Sequence, residues 1–527
     1  MTDRPGAGRT GASSRRLARA AVRAGLRLGP WPLLVALVGT ASAHSGSLAG
    51  ATASATVPTW LTVLTGGIVV GATFLFTTLL TDHDAMRDVN WWRFTVPVPA
   101  NPRRVLVWVG RAVSVGTLAL VLVTGLTGTT TPTQNFALLA IWAGWWAGYT
   151  MTTYLVGNTW PALNPFRAVV TLLQRGIAAV SNPAAGPTAT DGRTEGSDSN
   201  AGGSDQRTDR GSDRRTDGGV ATVRGRALTA RTVPERWGVW PAVVGLVAMV
   251  YVEVVSPIGS DPRALGLTVG AYALVTVAGA LVYGESWFAR VDPVSRVFAT
   301  YGRVAPIQRN ADGVSLHLPG TAATESVLPD RPGETEFVVA LLWVTTYDGL
   351  VSTPLWARAL TPIAEVGVPA HLVYVFVLLA GFGIFLGVYR LAGRKIRERA
   401  DTYVADPEIE RWFAPALVPI AAGYHVAHFL GYFLTLSPAL AAVAAAPFAP
   451  PNTVVLVLPD WFGSVKLACV LLGHVVAVWV AHSLAFELFP GVLAPIRSQV
   501  PSVVVMVFYT MVSLWVITQP YVAPPFV

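Results

Sequence analysis

The chain contains one cysteine in 527 residues, Cys469, so it forms no internal disulfide and offers no paired-thiol metal site. Lysine is scarce as well, occurring only at 395 and 466, and every other basic side chain is arginine apart from the histidines. Charged residues make up 13% of the sequence, about half the share usual in a soluble protein. No GxxxxGK, GxSxG or HExxH pattern occurs, and no Gly-rich dinucleotide loop stands between a strand and a helix. Nucleotide-driven transport and soluble-type hydrolysis therefore have no support in the motifs.

Apolar residues are what the chain has in quantity: 52% of the total, with a mean hydropathy of +0.50. They fall in long blocks without amphipathic or alternating order. Blocks near 20 residues are what a helix needs to cross about 30 Å of hydrocarbon at 1.5 Å per residue. Ten blocks run roughly over 58–80, 105–127, 135–156, 238–256, 264–283, 337–356, 369–391, 412–436, 462–486 and 501–520. The expected fold class is all-α, a polytopic transmembrane bundle of about ten spans in a lipid bilayer. A net charge of +8 and a pI near 9.8 then reflect basic loops beside the spans rather than a nucleic-acid partner.

Residues 1–43 read as a cleaved secretory signal: an Arg-rich stretch, a short apolar run broken by Pro30 and Pro32, and the small-residue site Ala41-Ser42-Ala43. An uncleaved amphipathic anchor is the alternative. Cleavage after Ala43 makes His44 the mature, external N-terminus. Residues 44–176 form a three-span part and 177–235 a linker. The linker's core, "SNPAAGPTATDGRTEGSDSNAGGSDQRTDRGSDRRTDGG", has almost no large apolar groups with which to offset ordering entropy, so disorder is expected. A seven-span part, 236–527, carries an amphipathic segment at 284–336. Arginine counts alternate loop by loop, from "YRLAGRKIRERADTY" to the uncharged "TGTTTPTQ", and place the basic loops in the cytoplasm and both mature termini outside a plasma membrane.

Several short stretches carry expectations of their own. "GESWFARVDPVSRVFATYGRVAP" fits either an interfacial amphipathic helix or a short helix packed on the ends of the spans. "GVSLHLPG" fits a small hairpin, with His317 a solvated loop residue. Asp82 to Asp84, "DHD", is expected to be a solvated charged loop, and Arg167 in "GNTWPALNPFRA" to meet lipid phosphates.

The chemistry lies in polar groups within the apolar blocks. Asp348 stands in "FVVALLWVTTYDGLVSTPLW", His425 and His428 in "GYHVAHFLGYF", and His474 and His482 in "LGHVVAVWVAHSLAFELF". Glu253 and His371 lie toward the expected external end. The spans as bounded above put Asp348, His425 and His474 at one depth near the midplane, with His428 a turn away. An ionised Asp at the bilayer centre costs about 2.5–3.5 kcal/mol even on gentle scales, so it seeks a partner inside the bundle. Imidazoles with a carboxylate are a ligand set for a divalent metal such as zinc or iron. On that reading His425, His428 and His474 hold the metal, Asp348 is ligand or general base, and Glu253 is a second carboxylate, for hydrolysis of a small lipophilic ester. Haem b with one axial His from each of two helices is a variant. A proton or solute pathway and simple interhelical hydrogen bonding remain open alternatives. His482, close to Glu487, reads as an interfacial or ion-paired residue.

The stretches "NFALLAIWAGWWAGYTMTTYLVGNTWPALNPFRA", "WPAVVGLVAMVYVEVVSPIGSDPRALG", "LGHVVAVWVAHSLA" and "SQVPSVVVMVFYTMVSLWVITQP" together resemble prokaryotic polytopic membrane proteins labelled fenitrothion hydrolase. The likeness covers most of the chain outside the signal and the linker. It extends to Ala43-His44 and to positions matching Glu253, Asp348, His428, His474 and His482. The resemblance implies an integral membrane protein, and its label implies phosphotriester hydrolysis.

Overall fold

A computed structural model describes residues 58–97, 99–181, 231–310, 313–325 and 327–527. The signal segment, His44 and the linker core lie outside the described residues. The described chain is mostly helical. Among the described residues seven helices are long and apolar enough to cross a membrane, or up to eight spans if one bent pair counts as a single span. Those used below are α1 (Thr59–Thr77), α2 (Ala100–Thr127), α3 (Trp240–Val255), α4 (Pro262–Tyr283), α5 (Glu334–Val351), α6 (Pro354–Glu365), α7 (Ala370–Ala400), α8 (Val418–Ala445), α9 (Phe462–Leu488) and α10 (Leu493–Ile517).

About ten spans were expected, and the difference has local causes. The block 337–356 is α5 and α6, bent by 75° where Thr353 caps the new helix and Pro354 opens it. The block 238–256 is α3, only 16 residues long. The block 135–156 is broken by an 11-residue π-helix, Leu139–Tyr149. Such wide turns are rare, and they gather at functional sites.

Between lipid-immersed helices the hydrophobic effect supplies little attraction, so close packing of small residues carries the association. A Cβ on Gly473 of α9 would lie 2.5 Å from the Pro419 carbonyl oxygen and 3.0 Å from the Gly423 Cα of α8. A Cβ on Gly125 of α2 would lie 3.0 Å from the Gly266 Cα of α4. Both crossings bring backbone against backbone and exclude any larger residue. The segments before and after the linker share one core, in which Val70 and Met151 belong to the same buried cluster as Leu341 and Val480.

At one end of the bundle, β1 (Arg93–Val96) pairs antiparallel with β3 (Val314–His317), which pairs antiparallel with β2 (Ile307–Arg309). We call this the sheet end. The stretch "GVSLHLPG" does not form a hairpin by itself: it supplies the single strand β3, between β1 and β2, and His317 is not solvated. It is 4% exposed, with Nε2 2.8 Å from Ser315 Oγ and Nδ1 3.5 Å from Glu325. The segment after α4 forms two short helices, Glu285–Arg290 and Pro293–Tyr301. The second is buried along most of its length, so it packs on the ends of the spans and does not lie on a lipid surface.

Three other expectations are corrected at this end. Asp82 caps the helix His83–Trp91 by accepting from the amides of Asp84 and Ala85, so "DHD" is a helix start and not a bare loop. Arg167 pairs with Glu285 at 2.8 Å and lies over the Phe288 ring, so its charge is met within the protein. His482 is fully buried rather than interfacial, and it meets Gln499 and the Leu80 carbonyl instead of Glu487.

Candidate functional site: a carboxylate, an imidazole and a ring of tyrosines

Asp348 sits in the last turn of α5, nearer the helix end than its centre. Its Oδ2 is 3.4 Å from Nε2 of His428 on α8. That separation exceeds the ~2.7–2.9 Å of a tight charge-assisted hydrogen bond. The His428 side chain is 24% exposed and the Asp348 side chain 12%, so the imidazole is the more open of the two. Gly349 explains how the two helices come so close. A Cβ there would stand 2.2 Å from Tyr424 Oη, so the missing side chain admits the phenol beside the Asp348 backbone. The Tyr424 ring in turn stacks on His428, with centroids 6.0 Å apart and planes 12° from parallel.

The local sequence explains the face. Tyr424, His428 and Tyr432 recur every four residues, which places them on one stripe of α8. The hydroxyls of Tyr424 and Tyr432 are buried without a hydrogen-bond partner. Glu253, on α3, is half-buried. Beyond α10 the chain folds back over this region. The Val522 amide donates to the Ser352 carbonyl at 2.9 Å, and Tyr374 Oη donates to the Pro525 carbonyl at 3.0 Å. In this strap, burial pushes the Tyr521 hydroxyl well above its ordinary range, and the charges of Asp348 and Glu253 add to the effect.

The proposed three-histidine set does not assemble. His425 and His428 are three residues apart and so differ by about 60° around the helix, enough for the rings to enter different interhelical spaces. His425 faces the π-helix side. Its Nδ1 is 2.9 Å from Tyr154 Oη, and Trp146, Tyr301 and Phe429 surround the ring. His474 turns its Nδ1 to the Val470 carbonyl of its own helix at 2.9 Å. Its Nε2 has no hydrogen-bond partner, and no ion pair or ring contact joins it to Asp348, His425 or His428.

Among the described residues no three His, Cys, Asp or Glu side chains are placed to hold a metal ion. The donor set therefore does not fit a closed zinc or iron centre, which needs about three or four protein ligands.

The tyrosines were not singled out from sequence, although the four-residue spacing in "YHVAHFLGY" carried the signal. Nothing local marked Tyr521 or the strap. Comparison with protein-family models, with curated proteins and with solved structures gives no match.

Proposed function

We propose that this multi-span membrane protein is a proton-exchanging solute pathway, with Asp348 and His428 as the exchanging pair. The observation that carries the reading is their 3.4 Å approach from two different helices, within a largely apolar bundle. A carboxylate and an imidazole this close share their protons. Charge on one favours or disfavours charge on the other, so the pair titrates as a unit. In a low-dielectric interior the proton count of such a pair responds strongly to any nearby charge, which is the property a coupled pathway needs.

The hydrolytic reading implied by the family resemblance would use the same two groups, His428 as general base and Asp348 as the carboxylate that orients it. It lacks a third ligand for a metal, so the exchange reading accounts for more of the geometry.

The test is proton movement in proteoliposomes with a trapped pH-sensitive dye and an imposed pH step. Wild-type protein is expected to equilibrate the lumen faster than protein-free vesicles. Asp348→Asn is expected to lose about nine-tenths or more of that rate, as removal of an essential exchanging group does. Wild-type vesicles no faster than empty ones, or an Asp348→Asn rate equal to wild type, would overturn the reading.

A further inference from the structure

The sheet end holds a polar chain that the exchange pair does not use. His317 lies on the buried face of β3, and Ser315, two residues before it, shares that face. Its Nε2 is 2.8 Å from Ser315 Oγ, and Ser315 Oγ is 3.4 Å from the Gln308 carbonyl oxygen on β2. Across the ring, Nδ1 makes no hydrogen bond but stands 3.5 Å from Glu325, which is 3.7 Å from Arg93 on β1. Arg93 and His317 are also cross-strand partners. One imidazole therefore stands in the middle of a chain of contacts that touches all three strands.

That chain is one hydrogen short while His317 is neutral. Ser315 has a single hydroxyl hydrogen and two acceptors in reach. With the imidazole proton on Nδ1, the hydroxyl serves Nε2 and the Gln308 contact goes unmade. With the proton on Nε2, the hydroxyl turns to Gln308, but the Nδ1 lone pair then faces the Glu325 carboxylate. The imidazolium, a donor from both nitrogens, completes every contact at once. We infer that the sheet is a proton-operated clasp, which tightens when His317 takes up a proton from the water at this end of the bundle. Two charged groups face the ring. Glu325 favours its charged form and can pair with it directly, whereas Arg93 opposes it from a side chain 55% exposed, where water screens it. Beyond them the helix His83–Trp91 brings Arg87 and α9 brings Glu487, which act on each other. β1 precedes residues 182–230 in the chain and β2 and β3 follow them, so the clasp joins those two parts. A closed sheet that binds the proton better than an open one becomes more favourable as pH falls. The inference stands independently of the exchange pair.

Hydrogen–deuterium exchange of the full-length protein in detergent reads the clasp through peptides covering 93–96 and 307–317. It is followed from about pH 8 to about pH 5, where imidazoles titrate, and corrected for the intrinsic pH dependence of exchange. Protection of these amides is expected to rise about threefold or more as pH falls, and to lose that slope in both His317→Gln and Glu325→Gln. Ser315→Ala is expected to shrink the gain, most of all at 307–309. His83→Gln, in the neighbouring helix, is expected to keep it. Wild-type protection that stays flat or falls as pH falls would overturn the inference, as would a slope that survives His317→Gln. Protection lowered by the same factor at every pH in His317→Gln would show a packing role alone and would also overturn it. If His317→Gln does not fold, the wild-type slope and its loss or survival in Glu325→Gln decide.

Discussion

Two polar regions of this molecule are built from similar side chains and come out differently. At the sheet end, Asp292 accepts from the hydroxyls of Tyr272 and Ser295 and from the amides of Val294 and Ser295. The Trp160 indole and the Asn164 amide both donate to the same Ser295 oxygen. Those bonds tie the "GNTWPALNPFR" turn to the helix Pro293–Tyr301, and each acceptor on Asp292 is used. Around Asp348, by contrast, the carboxylate and its imidazole stand 3.4 Å apart, and two neighbouring phenols have no partner. A saturated network fixes one arrangement. A network with unused capacity keeps more than one proton or ligand state within reach, at a cost in stability. On the function proposed above, the first region is structural and the second is the working site.

The comparison breaks most visibly if Asp292 is replaced. Asp292→Ala removes a helix cap and orphans buried hydroxyls, so a loss of about 3 kcal/mol is expected, read as a lower melting temperature in detergent. Next in size is Gly349→Ala, whose Cβ would sit 2.2 Å from Tyr424 Oη. Displacing that ring is expected to cost about 1–3 kcal/mol, and Tyr424→Phe in the same chain is expected to recover part of it. Asp348→Asn sharpens the contrast from the other side. Stability is expected to change by less than about 1 kcal/mol, or to rise, while proton exchange is lost, as befits a group retained for function. A large loss of stability there would mean that both regions are structural.

The smallest effect is pH-dependent. Burial raises the Asp292 carboxyl above its ordinary range and outweighs the hydrogen bonds that lower it. A group raised on folding contributes stability that is fully present below its unfolded value and is lost as pH rises through its folded value. Wild type is therefore expected to gain on Asp292→Asn as pH falls from neutrality toward the carboxylate range. Melting temperatures of the two proteins across that interval check the sign.

Much of the fold was legible in the sequence, because long apolar blocks carry their own span signal and Asp348 and His428 stand out inside them. Three features were not, each for a physical reason. The π-helix Leu139–Tyr149 widens the turn without changing composition, so "LAIWAGWWAGY" looks like any apolar helix. The sheet pairs 93–96 with 314–317, and strands so far apart leave no local pattern. The metal reading failed on angle. Three-residue spacing put His425 against Tyr154 while His428 faced Asp348. Side chains that share a depth on paper need not share a cavity.

Infrared difference spectroscopy of the purified protein through a pH titration tests the exchanging pair most directly. The account predicts a protonated-carboxyl band that disappears in Asp348→Asn and titrates at a different pH in His428→Ala, because removing the ring removes the group that shares the proton. A carboxyl band unchanged by either substitution would contradict it.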